Sequence, residues 1–411
     1  MEPRSKSWTC LTIEDILCQL KVVLESGNST QETLPILQKC QSLFTAFDRD
    51  DAREQLPAFL EALLANTIKP LFASVVTRST YRARFLDSPK KLWKDSASWS
   101  VNILQWILAQ YGTLEAPLQK QAIESQFPLL VPPILALLDD EDLTQKKTGC
   151  DLLQVLCDQL VRCESGILKR TGLTKVFEDS LAPNMLLLPS LTPEEKSLDI
   201  LSSLYPAYRA LVQASFSAGP SAAPSNAGKL AGVARGRDSS SDGVLVQHDG
   251  RQAMLDRILR GAILTGYIHA SDYVQIAQLL VSEMSYVVAM MGASSAKYLS
   301  QLFPLLRGIL TNPLGTAYQP LLRSAVTAMR ELILQCWPRI AEVWWEECLR
   351  ATIGLWLLLY GHDDSTAAQL KDDAKGLMDL LVQVKGQAAA EKALHLLQAE
   401  CEQLEGLIPK G

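Results

Sequence analysis

Apolar residues recur at steps of three and four along almost the whole of this chain, and that period is the strongest constraint on its fold. In the stretch IEDILCQLKVVL, Ile13, Ile16, Leu17, Leu20 and Leu24 fall on one helical face. LPAFLEALLANTI and CDLLQVLCDQLV repeat the arrangement, and no run alternates apolar and polar residues between turn formers as a half-buried strand would. The pattern predicts an all-α chain. Its helices, roughly 12 to 20 residues each, are joined by short connections carrying Pro, Gly or Asp, which places consecutive helices antiparallel.

A helix-pair unit recurs within this pattern. Residues 127–160, FPLLVPPILALLDDEDLTQKKTGCDLLQVLCDQL, and residues 303–337, FPLLRGILTNPLGTAYQPLLRSAVTAMRELILQCW, both open on Phe-Pro-Leu-Leu. Each runs an apolar helix into a polar turn and returns through an amphipathic helix with small residues, Gly149 and Cys150 in one copy, Ala325 and Ala328 in the other. The unit resembles a HEAT repeat, with Asp139 or Asp140 as the turn acid and Lys146 as the basic residue opening the second helix; Asn312 stands at the turn of the later copy. Residues 34–72 form a further degenerate pair. The fold expected is an α-solenoid of degenerate HEAT-like antiparallel helix pairs. In the first copy, Pro128 sits where a helix can begin, and Pro132-Pro133 is expected to kink or restart it.

The segment from Ser217 to Asp249 is mostly Ser, Ala, Gly and Pro. Such a composition does not bury enough apolar surface to offset its ordering entropy, and it reads as a disordered linker or loop. It divides an N-terminal block, 1–216, from a C-terminal block, 250–411.

Four consecutive acids, Asp139, Asp140, Glu141 and Asp142, raise the question of a metal or acid/base site. They lack the alternating ligand spacing and central Gly of a calcium loop, and the sequence offers no cleft to raise one carboxylate's pKa. An inter-helix turn whose Asp caps the following helix explains them. The histidines (248, 269, 362 and 395) are dispersed, and Cys150, Cys157 and Cys163 on one helix are spaced as core fillers rather than as converging ligands. No phosphate-binding, nucleophile-elbow or zinc-protease motif is present. No catalytic residue, metal or cofactor is expected. The net charge of −6 offers no global field for nucleic acid, the nine cysteines without CxxC pairs fit a reducing compartment, and the first residues lack the pattern of a secretory signal. The most apolar window, Ala351–Gly361, is too short to span a bilayer and reads as a core helix.

Two stretches remain as surfaces for partners. RSTYRARFLDSPKKLWK interleaves Arg78, Arg82, Arg84, Lys90, Lys91 and Lys94 with Tyr81, Phe85 and Trp93, as a solvated face or as a patch for an acidic partner. Trp337, Trp344, Trp345 and Trp356 put half of the chain's eight tryptophans into twenty residues, and at helical spacing the first three can share one face. They are core filling or, with Phe303, Pro304, Leu306, Pro338 and Arg339, a docking surface. Near the C-terminus, Leu394, Leu397, Cys401, Leu404 and Ile408 form a helical seam that must cover another helix.

The stretch KRTGLTKVFEDSLAPNMLLLPSLTPEEKSLDILSSLYPAYRALV (169–212) resembles the middle of the Tel-two-interacting protein 2 family. Thr192-Pro193-Glu194-Glu195 supplies its helix start, and the Ser/Ala/Gly insertion is similar to a loop of fungal members. The resemblance spans roughly 127 to 356. It implies a non-enzymatic scaffold, the third subunit of the TTT complex beside the Tel-two protein and the first Tel-two-interacting protein. Such a subunit acts with the heat-shock protein 90 chaperone to mature phosphatidylinositol-3-kinase-related kinases of the TOR, ATM and ATR types, in cytoplasm and nucleus, without membrane or direct nucleic-acid contact. A transport-receptor or phosphatase-scaffold type of helical adaptor, or a helical enzyme with a dispersed site, are the competing classes.

Overall fold

The computed structural model of the chain describes residues 49–73, 91–95, 97–216, 250–362 and 365–408. The helix read at 13–24, the first helix of the 34–72 pair and the 217–249 segment lie outside the described residues. Every regular element among the described residues is helical, so the chain is all-α. Compactness divides the described residues into two units, the first ending at 181 and resuming over 206–216, the second made of 182–205 and the described residues from 250 on.

In the first unit, α1 (Arg49–Leu63) continues through a π-helical turn (Leu64–Ile68) into a last turn (Lys69–Phe72). After it come the single turn α2 (Leu92–Asp95), α3 (Trp99–Tyr111), α4 (Ala116–Leu138), α5 (Leu143–Arg162), the short α6 (Ile167–Thr171) and α7 (Leu173–Leu181). The second half of α8 (Glu194–Phe216), from Pro206 on, belongs to the same unit. Helices α4 and α5 pack as an antiparallel pair, α3 lies on α5, and the end of α1 lies on α4. The core between them is aliphatic and aromatic, with Phe59, Leu63, Ile103, Tyr111, Phe127 and Leu156 buried. One buried carboxamide joins three of its helices. Tyr111 of α3 donates its hydroxyl proton to Gln126 of α4, and Gln126 Nε2 donates to the Pro57 carbonyl of α1 at 2.8 Å.

Helix α4 corrects the reading of its prolines. It starts at Ala116, with Pro117 in the first turn where a missing N–H costs nothing, and runs unbroken through Pro128, Pro132 and Pro133. An interior proline costs about 3 kcal/mol or more in a helix. Here the burial of Phe127, Leu130, Val131, Ile134, Leu137 and Leu138 on both sides of the prolines holds the helix together.

The second unit begins with a 3₁₀ turn (Ala182–Leu186) and the first half of α8, which opens with Glu194 and Glu195 in its first turn as the Thr-Pro-Glu-Glu motif predicts. Helix α9 spans 250–270 and includes a π-helical stretch, Arg257–Leu264. Then come α10 (Val274–Met291), α11 (Leu299–Leu310), α12 (Gln319–Arg339), α13 (Trp345–Leu358), α14 (Ser365–Lys385) and α15 (Gln387–Glu400). Helices α10, α12 and α14 pack side by side as one row, α11 and α13 as a second, and α12 and α14 also touch their partners across the rows. This alternation is the packing of a helical solenoid. Two stretches are long and apolar enough to cross a membrane by length and composition, Ala116–Leu138 and Val274–Leu310; 56% of the apolar window in each is buried within the fold.

The two copies of the repeat make the same turn. Asp140 Oδ1 accepts the N–H of Asp142 at 2.8 Å, and Asn312 Oδ1 accepts the N–H of Leu314 at 3.0 Å. Either side chain supports this Asx-type turn, so Asn replaces Asp without changing it. In the first copy Asp142 then caps α5 by accepting from Thr144 N, and Lys146 Nζ reaches back to the last turn of α4 at the Leu138 carbonyl, 3.3 Å away. The small residues let the pair close. A Cβ on Gly149 would lie 2.9 Å from Leu138 N and 3.1 Å from Leu137 Cβ. Gly149→Ala should therefore destabilise the first unit by about 1–3 kcal/mol despite alanine's higher helix propensity. Urea unfolding followed by circular dichroism tests this, and a midpoint at or above that of the parent would refute the close-approach argument.

Candidate partner-binding sites

The acidic turn and the basic stretch, distant in sequence, meet in the first unit. Asp140 is 0% exposed; its Oδ2 accepts from Lys91 Nζ at 2.6 Å and its Oδ1 from Lys94 Nζ at 2.7 Å. Desolvation pushes the Asp140 carboxyl up, but the two ammonium groups and the Asp142 N–H outweigh it and hold the pKa at about 2. Lys94 is raised in turn, chiefly by its hydrogen bond to Asp140. The side chains of Asp139 and Asp142 face outward. The four acids thus divide into a buried anchor, a helix cap and exposed turn residues. Trp93, between the two lysines, is 4% exposed and stacks on Phe72 at 5.3 Å with rings 7° from parallel. Of the six basic residues read as a patch, Lys91 and Lys94 are engaged in this clasp; Arg78, Arg82, Arg84 and Lys90 lie outside the described residues.

The tryptophan-rich segment separates where the spacing had suggested one face. Cys336 leaves helical geometry (φ −120°, ψ 19°), Pro338 follows, and a π-helical turn, Ile340–Trp344, joins α12 to α13. These breaks turn the residues to different sides. Trp345 is buried, its Nε1 donating to the Leu381 carbonyl at 3.0 Å, with Lys385 Nζ 5.4 Å from its ring centre. Trp356 is buried as well and donates to the Gln403 carbonyl at 2.8 Å. Trp344, half-buried, stacks on buried Phe303 with centroids 5.2 Å apart. Leu306 is core, whereas Pro304, Pro338 and Arg339 are exposed. Trp337 is 56% exposed, and so is Val343, with Leu334 at 44% one turn before Trp337. The sequence reading missed Leu334 and Val343. Position 334 falls at the i−3 step from Trp337 and was readable in principle; Val343 lies within the π turn, where α-helical spacing does not apply.

The C-terminal seam is also interrupted. Helix α15 ends at Glu400, Cys401 is extended, and a 3₁₀ turn, Glu402–Leu404, packs on α13, where the Gln403 carbonyl accepts from Trp356.

Nothing at these places has the geometry of a reaction centre. Among the described residues no three His, Cys, Asp or Glu side chains gather to hold a metal. Burial raises the thiols of Cys150 and Cys348 to about 12, and those of Cys157, Cys163 and Cys336 also rise, so these cysteines stay protonated fillers. His362 lies in the loop after α13, its carbonyl accepting from Lys371 Nζ at 2.7 Å; His269 is on α9, and His248 and the side chain of His395 lie outside the described residues.

Comparison with protein-family models matches residues 22–317 to the Tti2 family. The chain belongs to the Tti2 family. Membership makes it a component of the TTT complex and places it among scaffold subunits rather than enzymes. The comparisons with curated proteins and with solved structures return no match. The matched span contains the clasp and ends before the tryptophan-rich segment.

Stability from Asp140, whose folded pKa is depressed, is fully present above 3.8 and is lost as pH falls through about 2. Asp140→Asn should lower stability by about 2 kcal/mol at neutral pH, and its deficit should shrink progressively on acidification below about pH 4. Urea midpoints of parent and variant across that range measure it; a deficit independent of pH would contradict the clasp. In the second unit, Trp345→Ala should cost about 3–5 kcal/mol and Trp337→Ala less than about 0.5 kcal/mol. Thermal melts of the two variants should separate clearly.

Proposed function

We propose that this Tti2-family chain is the non-enzymatic third subunit of the TTT complex, beside the Tel-two protein and the first Tel-two-interacting protein. It acts with the heat-shock protein 90 chaperone, through an adaptor, to mature and stabilise phosphatidylinositol-3-kinase-related kinases of the TOR, ATM and ATR types in cytoplasm and nucleus. The observation that carries the reading is the family match over residues 22–317. The structure is compatible with it on physical grounds: successive antiparallel helices offer extended faces on which another helical protein docks. Other helical adaptors share that architecture, so the family match is what favours this reading over them.

Within that reading, the first Tel-two-interacting protein docks on the surface around Trp337, Pro338 and Arg339, flanked by Leu334 and Val343. Trp337 is the one tryptophan of its segment that presents most of its ring to solvent, and a large rigid apolar side chain of this kind is what interface hot spots use. Phe303, Leu306, Trp344 and Trp345 support this surface from within the unit rather than forming it.

Affinity purification of the full chain from its native organism tests both levels. The parent should recover the two other TTT subunits in stoichiometric amount; their absence would sink the assignment. Trp337→Ala, which leaves the fold intact, should reduce recovery of the first Tel-two-interacting protein by tenfold or more, a loss of about 1.4 kcal/mol. Full recovery by that variant would retain the complex and reject this docking surface.

A further inference from the structure

Between α3 and α5 of the first unit the surface sinks into a hollow of about 210 Å³. Ser98, Asn102 and Gln105 line it from the α3 side at steps of four and three, and Gln145 lines it from the first turn of α5. Trp93 and Lys94 close one end. Among the described residues, the side chains of Ser98, Asn102, Gln105 and Gln145 find no hydrogen-bond partner, although Asn102 and Gln145 are half-buried. Three carboxamides and a hydroxyl therefore converge on one space with their donors and acceptors uncommitted.

The chemistry of the lining selects the ligand. A carboxamide presents two N–H donors and a carbonyl acceptor, which is the complement of a peptide unit's own C=O and N–H. The hollow carries no free charge that would single out an anion, because the Lys94 ammonium is bound to Asp140 at 2.7 Å and lies 3.9 Å from Asp142. A helical segment would bring its main-chain groups already paired, whereas an extended segment brings them unpaired. The walls are also fixed in advance: Trp93 is held by its stack on Phe72, and Lys94 by the clasp. Little side-chain entropy then remains to be lost at that end on binding.

We propose that this furrow binds an extended peptide segment of a partner protein through its main chain, with Asn102, Gln105 and Gln145 as the hydrogen-bonding residues. Recognition through the main chain predicts tolerance of the side chains at the contacted positions. The site is independent of the TTT assignment, since nothing in its geometry depends on which partner supplies the segment.

The test is selection of a random-peptide library displayed on phage against the full chain, with enriched sequences remade as fluorescent peptides and titrated by anisotropy. Asn102→Ala combined with Gln145→Ala should weaken their binding about tenfold or more, as the loss of two or more hydrogen bonds predicts. Gln105→Glu, at an exposed position, should weaken it too and guards against misfolding of the double variant, whose urea midpoint is measured alongside. N-methylation of the peptide at the contacted amides should cost as much as the protein substitutions, while exchange of the side chains there should cost little. Enriched peptides that bind the variants unchanged, that bind as helices by circular dichroism, or that depend on a conserved acidic side chain rather than on main-chain amides would overturn the proposal. So would failure of the parent chain to enrich any peptide over the double variant.

Discussion

The first unit depends on a buried carboxylate. Removing an ion such as that of Asp140 from water costs several kcal/mol even after relaxation, and the cost is met only where partners replace the lost hydration. Two ammonium groups and one main-chain N–H do so here. Helix α2, a single turn of four residues, is far too short to be stable by its own hydrogen bonds. It is held at one side by Lys91 and Lys94 reaching the α4–α5 turn and at the other by Trp93 stacked on Phe72. The same clasp that secures α2 also neutralises Lys94, and together with the stack of Trp93 on Phe72 it sets the charge and shape of the furrow beside α3. A turn acid common to helix-pair repeats has here become the point through which a neighbouring segment is attached.

In the second unit the corresponding constraint is a change of helical phase. Each residue advances an α-helix by about 100°, so an inserted π turn rotates everything after it by a comparable angle. Cys336, just before Trp337, is out of helical geometry, and between Trp337 and Trp345 the chain passes Pro338 and the π turn Ile340–Trp344. Trp345 is thereby placed inward, where its N–H reaches the Leu381 carbonyl, and Trp337 is left outward. The arrangement gives one short segment both a core anchor and an exposed aromatic surface, which a straight helix with the same spacing would not provide.

These two cases also show what was legible in the sequence. The all-α class and the paired helices were readable, because apolar spacing at three and four is imposed locally by burial of one face. The turn chemistry was readable at Asp142 and Asn312 for the same reason: each side chain bonds the main chain two residues on. The burial of Asp140 was not readable, since its partners stand 46 and 49 residues upstream and no local rule distinguishes it from Asp139. The start of α4 was misplaced because Pro128 has the chemistry of a first turn, and only the burial of residues around it shows that the helix is already under way. The shared face of the tryptophans failed where period alone assumes an unbroken helix, and so did the C-terminal seam at Cys401. The carboxamides of the furrow were not readable, because Asn102, Gln105 and Gln145 are individually ordinary surface residues; their convergence is created by the packing of α3 on α5.

The placement of these features bears on how a scaffold subunit distinguishes its partners. An exposed aromatic surface such as that at Trp337 recognises shape and apolar area, and its specificity rests on close packing by a folded partner. A furrow of carboxamides recognises an unpaired main chain, and its specificity rests on the partner segment being extended rather than on its side chains. If both proposals hold, the two surfaces answer to different states of a partner, one folded and one extended. The family match covers the furrow but ends before Trp337. Similarity at that level therefore carries an argument about the helix pairs of the first unit, while the docking role of the tryptophan surface has to stand on its exposure and chemistry alone.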